Sequence, residues 1–291
     1  MKTSFSLFAL AVCVPALALA QQDFSNVEIE VHAVAGAVYM LEGAGGNIGV
    51  SVGEDGIAIV DDQFAPLAPK IKAALASITD EPVRFVLNTH YHGDHTGGNE
   101  IFGESAPIVA HDNVRKRLAE GVPARDIPPA VPAALPVITF GDRVSIHLNG
   151  EEIRATHHPH AHTDGDSVIF FMSSNVVHMG DIFFNGRFPF IDAGSGGSSA
   201  GMIRAVEAVL PKIPEGAKII PGHGALATVD DLEAYLDMLR GTRAAVAAAL
   251  AAGKTPEQMK EEKILAAWSS FDGGFISADR FIDTLAQELG R

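Results

Sequence analysis

Cysteine is almost absent from this chain. The one cysteine, Cys13, lies within the first twenty residues. If that segment is removed after export, the remaining chain can form no disulfide, and any metal that it binds must be held without thiolate. Histidine, which occurs at twelve positions, and the carboxylates are then the side chains left to act as metal ligands.

Long apolar runs are also missing, apart from one stretch at the amino terminus. Lys2 precedes an apolar stretch at residues 5–17, and Ala18 and Ala20 then supply small residues for a cleavage site. This order is typical of a cleaved export signal. A membrane anchor would need about 20 apolar residues, which is longer than this stretch. A lipid anchor would use Cys13, but Val12 before it is too bulky for a good lipid-attachment site. We therefore predict a signal peptide at residues 1–20 and an exported, periplasmic protein.

Basic residues are too few to balance the acidic ones. The chain has 21 Lys and Arg against 36 Asp and Glu, a net charge of −15 that becomes −16 when Lys2 is removed. An acidic surface argues against nucleic acid or an anionic membrane as partner. It places no such limit on a small-molecule substrate, because a metal site carries its own local charge. The oligomeric state is left open.

Short apolar runs and helical segments follow one another in both halves of the chain. The runs Gly56–Val60 and Val83–Leu87 have the pattern of buried strands, and each ends at polar residues. Strands followed by helices in each half predict two packed sheets with helices on their outer faces, within one domain over residues 21–291. The expected helices cover residues 66–78, 112–120, 199–210, 230–252, 256–267 and 277–289, and the first expected strand covers 27–31.

Two loops are candidates for shaping a cleft. Gly121–Pro136 contains five prolines and no clear period, which indicates either an extended cover over the body or a plain surface connection. Glu42–Asn47, between two expected strands, is rich in glycine and is either a mobile flap or an ordinary hairpin.

The densest group of histidines follows a buried strand. In an extended segment His90 and His92 point to the same side and can bind one cation together. Asp94 and His95, after Gly93, can face a second cation. Imidazole and carboxylate without thiolate suit zinc, iron or manganese. A polar loop with incidental histidines is the alternative, but four candidate ligands within six residues make a metal site the better interpretation.

The order His-x-His-x-Asp-His resembles the signature of the metallo-β-lactamase superfamily. Further motifs of that family have matches in the same order, between residues 56 and 224. They are Asp61 after a strand, His162-Thr163-Asp164-Gly165-Asp166, Gly180-Asp181 and Pro221-Gly222-His223-Gly224. The resemblance implies an α/β (α+β) chain folded as a four-layer αββα sandwich, in agreement with the pattern of strands and helices.

The resemblance also implies a role for each matched residue. Two divalent metal ions, zinc by preference, would be bound in two groups: His90, His92 and His162 for the first, Asp94, His95 and His223 for the second, and Asp181 bridging both. Asp61 would orient ligands through hydrogen bonds, and Asp94 would also relay a proton to the leaving group. Arg187 is a candidate for binding the substrate. The other histidines, Trp268 and the carboxyl-terminal phenylalanines are interpreted as structural.

Such a site implies a hydrolase that uses a metal-bridging hydroxide. Export to the periplasm favours β-lactams as substrates. One departure weakens that expectation: Asp181 stands where the commonest β-lactamases of the family have cysteine, and Phe184 stands where they have lysine. The run Gly180–Arg187 also resembles that of periplasmic hydrolases linked to quinoprotein systems.

Other functions are therefore carried as alternatives. A hydrolase of lactones or other esters, of thioesters or of phosphoesters would use the same site. A metal-dependent redox enzyme and a non-catalytic metal-binding module are further alternatives, although no flavin-binding domain is evident and the set of ligands is complete.

Overall fold

The computed structural model describes residues 23–290, so the predicted signal peptide lies outside the described residues. Two sheets form the body. The first contains seven strands in sequence order: β1 (Glu30–Ala35), β2 (Val38–Glu42), β3 (Ile48–Ser51), β4 (Ile57–Val60), β5 (Val83–Leu87), β6 (Ile108–His111) and β7 (Ile138–Phe140). The second contains β8 (Arg143–Leu148), β9 (Glu151–His157), β10 (Ser167–Phe171), β11 (Val176–His178) and β12 (Lys218–Ile220), in the order β12-β11-β10-β9-β8.

Both sheets begin with antiparallel strands and end with parallel ones. In the first sheet, β1 to β4 pair antiparallel and β4 to β7 pair parallel. In the second, β8 to β11 pair antiparallel and β11 pairs parallel with β12. Parallel neighbours need crossover connections, which here contain helices. Those of the first sheet are α1 (Ala68–Ala76), α2 (Gly93–Thr96), α3 (Asn99–Phe102) and α4 (Asp112–Glu120).

Alternation along the strands separates the layers. In β4, Ile57 and Ile59 pack on the outer face with α1, while Ala58 and Val60 face the space between the sheets. β10 repeats the pattern, because its even-numbered positions pack against the outer helices and Ile169 and Phe171 face the first sheet. All of these side chains are buried, as expected of strands covered on both faces.

Helices cover the outer face of the second sheet. They are α5 (Ser199–Val209), α6 (Val229–Ala251), α7 (Pro256–Glu261) and α8 (Ala278–Leu289). A capping box formed by Thr228 and Asp231 starts α6. The layers therefore run helix, sheet, sheet, helix, which confirms the predicted αββα sandwich.

Two predicted elements differ from the structure by three residues or more at one end or both. The helix expected over residues 256–267 ends at Glu261, because the backbone turns into the left-handed region at Lys263 (φ 51°). The strand expected at 27–31 begins three residues later, at Glu30. In the part of the chain that the structure describes, no helix is both long and apolar enough to cross a bilayer.

Candidate metal centre

Strand ends from both sheets meet at one edge of the sandwich. Parallel pairing places Val60 of β4 beside Leu87 of β5, so Asp61 and the segment beginning at Thr89 emerge together. In the second sheet, β11 and β12 pair in parallel, and Gly180-Asp181 and Gly222-His223 follow them. The edge where parallel strands end thus collects polar residues from distant parts of the sequence.

The first group of candidate ligands consists of His90, His92, His162 and Asp181, whose ligand atoms lie within 4.8 Å of one another. His92 Nδ1 lies 3.1 Å from His90 Nε2 and 2.9 Å from His162 Nε2. Asp181 Oδ2 lies 3.5 Å from His162 Nε2. The three imidazoles and one carboxylate oxygen therefore point at a common centre.

The second group consists of Asp94, His95 and His223. Asp94 Oδ2 lies 3.4 Å from His223 Nε2 and 3.8 Å from His95 Nε2. The other oxygen of Asp181, Oδ1, lies 3.1 Å from His95 Nε2 and 3.4 Å from His223 Nε2. One carboxylate thus faces both groups, with a different oxygen toward each.

Hydrogen bonds on the far side of each ring orient the imidazoles. Thr89 donates its hydroxyl to Asp61 (2.7 Å), so His90 Nδ1, 3.1 Å from that hydroxyl oxygen, acts as donor. His95 Nδ1 lies 2.8 Å from Asp61 Oδ2, and His162 Nδ1 lies 2.8 Å from the Phe190 carbonyl oxygen. These contacts assign the ring protons to the outer nitrogens, which leaves the lone pairs of the inner nitrogens directed at the centre.

Burial and charge keep the carboxylates ionised. Burial would raise the pKa of Asp181, but the imidazoles of His95 and His223 outweigh it and hold that pKa well below its usual range. Burial also acts against ionisation of Asp94, yet His95 and His223 lower the pKa of Asp94 to about 2. Ionised carboxylates are the form that binds a cation.

Two buried atoms at the centre favour a cation directly. Among the described residues, His95 Nε2 and Asp181 Oδ1 have no hydrogen-bond partner, although both are buried. A buried polar group without a partner costs about 1–3 kcal/mol. Five imidazole nitrogens and two carboxylates, with no thiolate, form a donor set for zinc, iron or manganese. The residues present therefore fit two divalent cations.

Asp192 is a site residue that the sequence did not reveal. Its carboxylate is 1% exposed, and its Oδ2 accepts hydrogen bonds from His92 Nε2 (3.0 Å) and the Tyr91 hydroxyl (2.9 Å). Its Oδ1 accepts from Arg125 Nη2 (2.5 Å). The outer nitrogen of His92 is thus held in the same way as that of His95. Asp192 stands in no motif and lies 100 residues from His92, so no local signal could have identified it.

Replacement of Asp192 by asparagine is expected to weaken zinc binding by roughly 10–100-fold, since loss of a hydrogen-bond partner of a metal-binding histidine has an effect of that size. Competition titrations with a chromophoric chelator measure it. Asp55→Asn is the matched control, because Asp55 accepts a backbone hydrogen bond from Asn149 in a surface turn far from the site. Equal zinc affinities for the two variants would contradict this role of Asp192.

A cleft of about 580 Å³ opens over the two groups. Its walls include Phe64, Phe184, Phe188, Phe190 and Phe275, together with Arg125 and Arg187. Arg125 belongs to the proline-rich segment, which therefore contributes to the cleft. Arg187 also lines the cleft, and no carboxylate of residues 23–290 lies within 4.0 Å of its charged group.

The interpretation of the carboxyl-terminal phenylalanines as structural is correct for one of them and wrong for another. Phe281 is fully buried in the helical layer, whereas Phe275 is 76% exposed at the mouth of the cleft. Sequence could not separate them, because both flank the start of α8. The loop before α8 directs Phe275 toward the cleft, whereas Phe281 lies within α8 and faces the core.

The glycine-rich loop is anchored to the site. Gly46 N–H donates to the Asp94 carbonyl oxygen (3.0 Å), and Asn47 N–H donates to that of Gly222 (2.8 Å). A Cβ atom on Gly46 would lie 2.1 Å from Cε1 of His95, so only glycine allows this approach. The loop is therefore a wall packed against a candidate ligand, and the hypothesis of a mobile flap finds no support in these contacts.

The remaining histidines lie outside both groups. His111 and His157 stack with ring centroids 3.6 Å apart, and His178 is buried with Nε2 2.9 Å from the Asn47 carbonyl oxygen. In the described residues, no metal-binding group includes His157, His158 or His160.

Comparisons with known proteins identify a matching family and several relatives. A model of the metallo-beta-lactamase superfamily matches residues 38–241. The chain is 28% identical over 137 residues to the 2,4-dinitroanisole O-demethylase subunit alpha of Nocardioides sp. (strain JS1661), which covers 46% of this chain and 40% of that one. It is 30% identical over 173 residues to a probable hydroxyacylglutathione hydrolase of Schizosaccharomyces pombe, which covers 57% of this chain and 58% of that one. The chain spans about half the length of the curated relatives it matches.

A solved structure shares the fold. The metallo-beta-lactamase from Pontibacter korlensis superposes with a TM-score of 0.62 at 16% identity, covering 73% of this chain and 99% of that one. The likeness at this identity concerns the arrangement of the two sheets and their outer helices.

Proposed function

This chain belongs to the metallo-β-lactamase superfamily, and from that premise we propose that it is a dinuclear metallohydrolase of small anionic carbonyl compounds, with β-lactams as the first candidate substrates. The observation that carries the proposal is the carboxylate of Asp181. Its Oδ2 faces His90 and His162, while its Oδ1 faces His95 and His223. A carboxylate shared in this way suits two cations about 3.5–4 Å apart, the spacing of two-metal hydrolases.

Residues of the chain have separate roles in the proposed hydrolysis. When bound, two divalent cations supply a water with a pKa lowered to about 7 and polarise the reacting oxygen of the substrate. Asp94, whose side chain is 30% exposed toward the cleft, keeps one carboxylate oxygen beside His223. Its other oxygen is free to accept a proton and deliver it to the leaving group. Phe184, stacked on His223, shields that side of the site from water.

The cleft supports an anionic substrate with an apolar body. Arg187 offers a guanidinium that no carboxylate of the described chain engages, so it can pair with a substrate carboxylate. Phenylalanine rings line much of the remaining wall. A β-lactam carries a carboxylate that can pair with Arg187 and apolar substituents that can pack on the phenyl rings. Its strained carbonyl is the group that the metal-activated water would attack.

A thioester is the second candidate, favoured by one of the relatives. The Schizosaccharomyces pombe protein is named a probable hydroxyacylglutathione hydrolase, and its match covers 57% of this chain. Asp181, in place of the cysteine of the commonest β-lactamases, fits this candidate equally well. Zinc is the metal that we propose, and export to the periplasm, with removal of residues 1–20, is proposed from the amino-terminal pattern.

A substrate panel tests the proposal. We expect zinc-loaded enzyme to hydrolyse nitrocefin, and a thioester is expected to be the next best substrate in a panel that also contains a lactone and a phosphodiester. Initial rates followed by absorbance give kcat/KM for each compound. Failure to turn over nitrocefin would refute the β-lactam assignment, and failure with all four compounds would refute the hydrolase.

Arg187→Gln separates anion binding from catalysis within the same panel. For carboxylate-bearing substrates the variant is expected to have a KM raised roughly 10-fold with little change in kcat, because a charge-assisted hydrogen bond is worth about 1.5–3 kcal/mol. The neutral lactone provides the control, since its KM is expected to stay unchanged.

A further inference from the structure

Phe275, at the mouth of the cleft, is an aromatic side chain that belongs to neither group of candidate metal ligands. Phe275 is 76% exposed, although the residue that follows it, Ile276, is only 2% exposed. An isolated exposed apolar residue needs no explanation, but one that joins other apolar groups at the rim of a cleft marks a binding surface. Phe275 lines the same cleft as Asp94 and His223.

The loop that carries Phe275 is anchored. Asp272 Oδ1 accepts hydrogen bonds from the N–H groups of Gly273 (2.9 Å) and Ala278 (3.2 Å). Gly273 adopts φ 106°, a conformation that glycine takes readily and other residues do not. The buried Ile276 fixes the other side of the turn. The anchored turn thus holds the phenyl ring over the mouth of the cleft.

A second ring and a guanidinium complete the surface. The rings of Phe275 and Phe190 have centroids 6.4 Å apart and planes at 80°. Arg280 places its guanidinium 4.7 Å from the centroid of Phe275 and covers part of that ring. Phe190 in turn contacts His92 and His162, with ring centroids 5.9 and 5.7 Å away, so the surface is continuous with the first group of ligands.

We propose that Phe190 and Phe275 form a subsite for a planar apolar group of the substrate. The substrate class is then an aryl or heteroaryl acyl compound whose anionic group pairs with Arg187. This inference rests on the proposed function and narrows its substrate. The two rings meet edge to face, and Phe275 remains 76% exposed, so a planar guest can pack against it in the edge-to-face or offset contacts that aromatic groups prefer.

Binding of an aromatic anion tests the subsite without any hydrolysis. The probe is 8-anilinonaphthalene-1-sulfonate, titrated by fluorescence into the zinc-loaded protein. Phe275→Ala is expected to raise its Kd about fivefold, and Phe275→Trp is expected to restore it. Val137→Ala is the matched control, since Val137 is 69% exposed and does not line the cleft. Wild-type affinity in Phe275→Ala, or an equal loss in Val137→Ala, would overturn the subsite.

Kinetics then connect the subsite to turnover. With the best substrate type from the panel, we compare an arylacetyl compound with its acetyl counterpart. Phe275→Ala is expected to raise KM about fivefold for the arylacetyl compound only, with kcat unchanged. Equal effects on both compounds would overturn the proposal. If nothing is hydrolysed but the probe behaves as expected, the proposed function fails and the subsite stands.

Discussion

Asp181→Ala is expected to remove most of the hydrolytic activity and to prevent the binding of two metal ions. Among residues 23–290, Asp181 is the one whose two oxygens face both groups, at 3.1 Å from His95 Nε2 and 3.5 Å from His162 Nε2. Without its charge, five imidazoles and Asp94 remain to hold two dications. Loss of a single group that stabilises charge in a transition state already costs about 10²–10³ in rate. We therefore expect kcat/KM to fall by roughly 10³-fold or more.

Turnover and metal content are measured on the same preparations, the latter by elemental analysis. Asp237→Ala serves as the matched control, because Asp237 is 82% exposed on α6 and its nearest cation, Arg240, is 3.9 Å away. Circular dichroism checks that both variants are folded. Two equivalents of metal together with wild-type turnover in Asp181→Ala would show that the bridging assignment is wrong.

Removal of the metals is expected to lower the unfolding temperature by roughly 10 °C. Cations that bind only the folded arrangement stabilise it by about 4 kcal/mol when their concentration is 1,000 times Kd. For a protein of this size each kcal/mol corresponds to about 2–4 °C. The physical cause lies in the site, where buried groups such as Asp181 Oδ1 have no hydrogen-bond partner among the described residues.

Thermal unfolding of the zinc-loaded protein with and without a chelator measures this shift. Asp237→Ala should show the full decrease, while Asp181→Ala should show little, since it has little metal to lose. Restoration of the original transition by added zinc would attribute the decrease to the metal. A chelator that leaves the unfolding temperature of the wild-type protein unchanged would argue against metal binding at this centre.

Part of the site could be predicted because its signals are local. His90 and His92 lie two residues apart at the end of β5, a strand recognisable from its apolar run. Asp61 could be anticipated in the same way at the end of β4. His162 carries less local information, since His157, His158 and His160 precede it, and only the family motif separated it from them. The structure places His162 Nε2 2.9 Å from His92 Nδ1.

Other parts of the site had no local signal. The contact of Asp192 with His92 joins residues 100 positions apart, and the position of Phe275 depends on how a turn leads into α8. The anchoring of Gly46 against His95 also joins separate segments. Periodicity reports which face of a strand or helix is buried, but it does not report which distant residue meets that face.

The sequence by itself determined the chemistry of the ligands and the layers of the fold. The matched motifs contain only His and Asp as candidate ligands, which predicted imidazole and carboxylate, and continuous apolar runs predicted strands buried on both faces. Only the tertiary structure decided that the two oxygens of Asp181 face different groups and which hydrogen bonds orient each histidine. Those features depend on how the two sheets pack face to face and bring their strand ends to one edge of the sandwich, and that packing sums many weak contacts between residues far apart in the chain.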